Sequence, residues 1–111
     1  MKPLIDKAEV SIDFPDKVYM GSFSRESGFE VRADAEEVLL KLVRPGDQRR
    51  EVAIHLHYFL LADIVRATAE ALAARPPLDE AHAEPLHDAA ADLCAALKGR
   101  KSRRKAKSAK A

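Results

Sequence analysis

Apolar and polar residues alternate from Ala8 to Phe14, which is the period of a strand with one face buried. The dipeptide Pro15-Asp16 is a turn signal and ends this strand. We predict a second strand over Val18–Phe23 and a third over Gly28–Ala33, joined as a hairpin by the polar turn "SRESG".

The register of this hairpin has two solutions. Pairing Phe23 with Phe29 gathers an apolar set on one face, and the alternative register buries Val18 and Met20 instead. The first set consists of Tyr19, Gly21, Phe23, Phe29 and Val31.

A later hairpin has a single favoured register. The segments "EVLLKLV" and "EVAIHLH" flank "RPGDQRR", in which Pro45-Gly46-Asp47 supplies the turn residues. If Leu42 faces Val52, one face of the pair is apolar throughout, whereas a slip by one residue breaks the match. The other pairs on that face are Leu40 with Ile54 and Val38 with Leu56.

A helix is predicted from Tyr58 to Ala74, because the proline pair of Arg75-Pro76-Pro77 excludes a helical continuation. Viewed down the helix axis, its charged residues fall within a narrow sector, and the opposite side of the helix carries an apolar stripe about 160° wide. Such a stripe is wider than one sheet contact needs. We therefore predict a homodimer that forms through the helix face Leu61, Ile64, Val65, Thr68 and Leu72.

A second helix is predicted from about Pro85 to Lys98, since proline suits a first turn and Gly99 stands where a C-cap glycine occurs. Beyond Gly99 there is no apolar periodicity, so this segment cannot bury enough surface to order itself. The predicted fold class is α+β: an antiparallel sheet of four to five strands, two C-terminal helices packing on one face, then a disordered basic tail. The predicted boundaries are a single domain at 1–98 and a tail at 99–111.

Charge is distributed unevenly along the chain. The 111 residues carry 19 Lys and Arg and 18 Asp and Glu, a net charge of +1. Residues 98–111 hold eight of the basic residues and none of the acidic ones, so this segment is +8 and residues 1–97 are −7. A basic arm suits phosphate contact. The predicted nucleic-acid-binding residues are Lys98, Arg100, Lys101, Arg103, Arg104, Lys105, Lys107 and Lys110.

Alternatives to nucleic-acid contact stay open for this segment. In one alternative, the segment serves only to keep the protein soluble. In another, it folds back onto the acidic residues 1–97. The aromatic residues Tyr19, Phe23 and Phe29 offer stacking faces to single-stranded bases, although aromatic side chains of a small domain more often form its core.

Histidines are the candidate metal ligands. His55 and His57 share one face of a strand about 6.6 Å apart, and Glu37 lies opposite His57 in the favoured register. Two imidazoles and a carboxylate match a facial metal triad; the alternative is a cross-strand polar pair of Glu37 and His57. Because so short a motif is common by chance, we predict no metal site. Cys94 and His87 lie about 10.5 Å apart along a helix, too far to share zinc, and we expect Cys94 to be buried.

No motif of a known catalytic site is present. There is no G-x-S-x-G elbow, and the glycines of "YMGSFSRESG" match neither a P-loop nor a dinucleotide fingerprint. The single cysteine favours a reducing compartment, the N-terminus lacks the apolar run of a signal peptide, and the longest apolar stretch, "YFLLADIV", is too short for a membrane span.

We therefore predict a small non-catalytic cytoplasmic accessory protein, without a cofactor, that contacts nucleic acid non-specifically through its basic tail. The first alternative is a protein-interaction or assembly module in which the homo-oligomer matters and the tail serves only solubility. A third reading is a metal-dependent enzyme that uses the H-x-H strand motif.

Overall fold

The computed structural model describes the backbone of residues 1–110 and the side chains of residues 1–98. Strands come first along the chain and helices follow, so the predicted α+β class is confirmed. The elements are β1 (Lys2–Pro3), β2 (Ala8–Phe14), β3 (Lys17–Phe23), β4 (Gly28–Ala33), β5 (Glu37–Arg44), β6 (Arg50–His57), α1 (Tyr58–Ala73) and α2 (Glu80–Lys110).

Four strands form an antiparallel sheet in the order β1-β4-β5-β6. The predicted register of β5 and β6 is confirmed, with Leu42 opposite Val52. The turn between these strands is also confirmed, because Gly46 adopts a φ of 99°, a backbone conformation that residues other than glycine rarely adopt. This register places most of the apolar positions of β5 and β6 on one face of the sheet, and Leu39, Val43 and Ala53 on the other.

The predicted hairpin between the second and third strands is wrong. β3 pairs with β2 in a separate two-stranded sheet, with Phe23 opposite Ala8 and Phe14 opposite Lys17. Only Pro15-Asp16 separates these strands, so the tight turn forms there rather than at "SRESG".

The short strand β1 explains why β3 does not pair with β4. Lys2 lies opposite Phe29, and the N–H of Leu4 donates to the carbonyl of Ser27 at 3.1 Å. Gly28 is favoured at this edge, since a Cβ there would lie 2.9 Å from the backbone carbonyl oxygen of Lys2. The N-terminus therefore occupies the edge of β4 that β3 was predicted to take.

α1 begins directly after β6, with no residue between His57 and Tyr58. Its end agrees with the prediction to within one residue. The N–H of Ala74 still donates to the carbonyl of Glu70 at 3.1 Å, and the proline pair then ends the helix.

α2 begins five residues before Pro85, the predicted start. Asp79 forms its N-terminal cap: its carbonyl accepts from the N–H of Ala83 at 2.9 Å, and its carboxylate contacts Nδ1 of His82 at 2.6 Å. This imidazole contact is the main reason why the pKa of Asp79 is lowered. α2 also extends through Gly99, the predicted C-cap, to Lys110. The disorder predicted for the tail stays a prediction.

The chain divides into two compact units, Met1–Thr68 and Ala69–Ala111. Among the side chains described, Phe23 is the only buried apolar one, with 2% of its surface exposed. α1 contains no buried residue, and Ile64 and Val65 are 42% and 47% exposed. The isolated chain thus leaves its apolar positions largely in contact with solvent, which is unusual for side chains of this type.

Candidate functional site

The basic tail begins on α2. Lys98 is the last side chain that the structure describes, and it is exposed. The other seven predicted nucleic-acid-binding residues lie outside the described side chains: Arg100, Lys101, Arg103, Arg104, Lys105, Lys107 and Lys110.

The part of α2 that precedes Lys98 has the opposite charge. Its four acidic residues recur at every fourth position, which places the carboxylates in one row along the helix. Between Arg75 and Lys98 the sequence contains no Lys or Arg. Acidic residues near the N-terminus of a helix and basic residues near its C-terminus both stabilise the helix dipole. The acidic row consists of Glu80, Glu84, Asp88 and Asp92.

The three aromatic stacking candidates differ in exposure. Phe23 is buried and Phe29 is half-buried, so neither presents a free face to a base. Tyr19 is 54% exposed, and its ring meets that of Phe14 edge to face, with the centroids 5.9 Å apart. Phe14 was missed by the sequence analysis, although its place next to the turn signal Pro15 puts it at the tip of the hairpin.

The histidine cluster lies on the polar face of the large sheet. The register places Glu37 opposite His57, as predicted, but the contact is diagonal: Oε2 of Glu37 lies 2.9 Å from Nδ1 of His55. The predicted side-chain pair of Glu37 and His57 is therefore wrong. Diagonal neighbours across two strands are within reach of long side chains such as glutamate.

Asp34 fixes the start of this cluster. Its carboxylate accepts hydrogen bonds from the backbone N–H groups of Glu36 and Glu37 at 2.8 and 2.9 Å. These two bonds hold the pKa of Asp34 below its usual value. The aspartate therefore organises the turn between β4 and β5 and is not a free ligand.

Two of the cavities in the unit Met1–Thr68 have mixed charge. One, of about 300 Å³, contains Arg32 and His55 beside Asp34 and Glu37. The other, of about 580 Å³, contains Arg50 beside Glu9. Neither cavity is an obvious receptor for a phosphate, since a carboxylate accompanies each basic side chain.

Within the described part of the chain, no three His, Cys, Asp or Glu side chains are grouped as metal ligands. His55 and Glu37 are brought together, but His57 does not complete a triad. Cys94 is an exposed free thiol, so the prediction that it is buried is wrong. The reason is that its neighbours on α2, such as Leu93 and Leu97, are themselves more than half exposed.

Removal of metal is expected to leave the melting temperature unchanged. Glu37 is already engaged by His55, and Asp34 by two backbone N–H groups, so folding does not require a cation at this cluster. Thermal unfolding followed by circular dichroism, with and without a chelator, checks this. A loss of several degrees that added zinc restores, and that magnesium does not, would contradict it.

No protein-family model, no curated protein and no solved structure matches this chain. Of the helices in the part of the chain that the structure describes, neither combines the length and the apolar character needed to cross a bilayer. The function therefore has to be argued from the chemistry of the chain itself.

Proposed function

We propose that this protein is a small, non-catalytic, cytoplasmic accessory protein that contacts nucleic acid non-specifically through its basic C-terminal segment. The observation that carries the proposal is the charge of residues 98–111, which contain eight Lys and Arg and no Asp or Glu. Each phosphate that such a segment neutralises releases condensed counterions, and this release drives binding without reading the base sequence.

The rest of the chain supports this assignment, because it offers few other sites for a phosphate. Residues 1–97 carry a net charge of −7 and repel a polyanion. The two cavities described above pair their basic side chains with carboxylates.

A truncated chain that ends at Gly99 is expected to lose nucleic-acid binding. The truncation removes seven of the eight positive charges and leaves the acidic body intact. Fluorescence anisotropy of a labelled mixed-sequence duplex at low salt measures the change, and circular dichroism shows whether the truncated chain keeps its fold. Equal binding by both chains would contradict the role of the tail and point to the exposed aromatic rings.

A second function, as a homo-oligomeric assembly module, is favoured by the exposure of α1. Its predicted dimer face carries Ile64, Val65 and Leu72 at 42%, 47% and 38% exposure. Exposed apolar patches of this kind mark interaction surfaces in proteins that remain in solution. The two functions are compatible, because a dimer would hold two basic tails and raise the effective concentration of the second tail once the first has bound.

A further inference from the structure

Two apolar surfaces of the chain are only partly covered. The first, which we call the apolar sheet face, has Val31 and Ile54 at 54% and 39% exposure, and the charged residues Lys2, Arg44 and Arg50 lie at its edges. The second is the α1 face, formed by Leu61, Ile64, Val65, Thr68 and Leu72. A sheet with one apolar face is stable only when another layer covers it. The apolar sheet face comprises Phe29, Val31, Ala33, Val38, Leu40, Leu42, Val52, Ile54 and Leu56.

The junction between β6 and α1 leaves no loop by which the helix could fold back onto its own sheet. No residue separates the two elements, whereas a helix that returns to cover its own strand normally follows a loop of two to six residues. Tyr58, the first residue of α1, is also fixed. Its hydroxyl donates to the carbonyl of Asp34 at 2.7 Å, and its N–H to the carbonyl of Glu36 at 3.4 Å.

We propose that α1 of each protomer packs on the apolar sheet face of a second copy of this chain. The two contacts are then identical, as a two-fold symmetric dimer requires. The inference deepens the assembly function proposed above, because it names the surface that the α1 face binds. It does not depend on the nucleic-acid contact of the tail.

The two surfaces match in length and chemistry. The 16 residues of α1 extend about 24 Å, and the eight residues of β5 or β6 about 26 Å. Thr68 is the one polar residue of the α1 face, and its hydroxyl already donates to the carbonyl of Ile64 at 2.7 Å. It therefore needs no partner when the face is covered.

The area involved is enough for a stable dimer. The two surfaces carry about a dozen large apolar side chains per chain, and each still exposes on the order of 50 Å². Covering both surfaces on both copies removes about 1,200 Å² of apolar area, and about 1,800 Å² in total if roughly 65% of the interface is apolar. Specific, stable interfaces bury about 1,200–2,000 Å².

Direct packing of α1 against α1 of the partner is the competing arrangement. It covers the helix face only and leaves the exposed positions of the apolar sheet face, Val31, Ala33 and Ile54, in water. Exchange of the helices covers both surfaces at once, which is why we favour it.

Mixed dimers of two cysteine variants distinguish these arrangements. All variants carry Cys94→Ser, which removes the exposed native thiol. A chain with Ile64→Cys is mixed with a size-tagged chain that has Ile54→Cys, and a short bismaleimide is added. The inference predicts a covalent product of one tagged and one untagged chain. Asp63→Cys, on the polar side of α1, is the matched control and should give at least tenfold less product with Ile54→Cys.

The inference fails if Ile64→Cys links to itself and not to Ile54→Cys, or if the wild-type chain is a monomer in sedimentation at tens of micromolar. A second measurement avoids mutation altogether. Isotope-filtered nuclear Overhauser effects between differently labelled wild-type copies should connect methyl groups of Ile64 and Val65 to those of Leu40 and Ile54. Their absence in a dimer overturns helix exchange. Neither failure touches the nucleic-acid function, which the truncation at Gly99 tests separately.

Discussion

Raising the salt concentration fourfold, from about 50 to about 200 mM, is expected to weaken binding of the full-length chain to duplex DNA about a hundredfold. The reason is that a tail with eight positive charges neutralises about four phosphates, each of which lowers the logarithm of affinity by about 0.9 per decade of salt. Fluorescence anisotropy titrations at several salt concentrations give this slope directly.

The matched control for this titration is the base sequence. Duplexes of different sequence and equal length should bind within about threefold of each other, because phosphate contacts position a protein without reading bases. A flat salt dependence, or a strong preference for one sequence, would contradict binding through the tail.

Replacing Ile64 with aspartate is expected to weaken self-association by at least a hundredfold. The substitution places a charge in the centre of the α1 face, and a charge buried against apolar residues without a partner is strongly unfavourable. Sedimentation equilibrium between about 1 and about 100 µM covers the range in which a dimer of micromolar affinity would dissociate.

The control variant is Phe59→Asp, which introduces the same charge on the same helix. Phe59 is 93% exposed and lies on the polar side of α1, away from the α1 face. This variant should associate as the wild type does. If both variants associate normally, the α1 face is not the interface. The milder Ile64→Ala, expected to weaken association about tenfold, keeps the test informative if Ile64→Asp unfolds.

The elements with a regular apolar pattern were predictable from the sequence, and the irregular ones were not. The register of β5 and β6 was predictable, because a slip by one residue would have exchanged the apolar and polar faces over eight positions. The pairing of β3 was not predictable. It depends on β1, whose two residues have no periodicity, and on the close approach of Gly28 to Lys2.

Of two helix ends marked by prolines, one was predicted from the sequence and one was not. The end of α1 was predictable from its proline pair. The predicted start of α2 is too late, because Pro85 suits a first turn but Asp79 provides the cap six residues earlier. The start at Asp79 could have been predicted, since aspartate is a favoured cap residue and the acidic row that follows it is typical of a helix N-terminus.

For the candidate site, strand pairing was predictable and side-chain contact was not. The register placed Glu37 beside both histidines, but the choice of His55 over His57 is a matter of rotamers, which periodicity does not report. The exposure of Cys94 was not predictable, because a free cysteine is usually buried, whereas α2 leaves its apolar positions exposed.

The central claim is that the basic segment contacts nucleic acid. It is tested most directly by a full-length variant in which the eight Lys and Arg of residues 98–111 are all changed to glutamine. This variant keeps the length of the chain and its acidic body, and it removes only the charges of residues 98–111. At about 50 mM salt, where non-specific phosphate contacts are strong, the wild type should bind a mixed-sequence duplex and the variant should show no measurable binding. Equal binding by the two proteins, or no binding by the wild type, would contradict the claim.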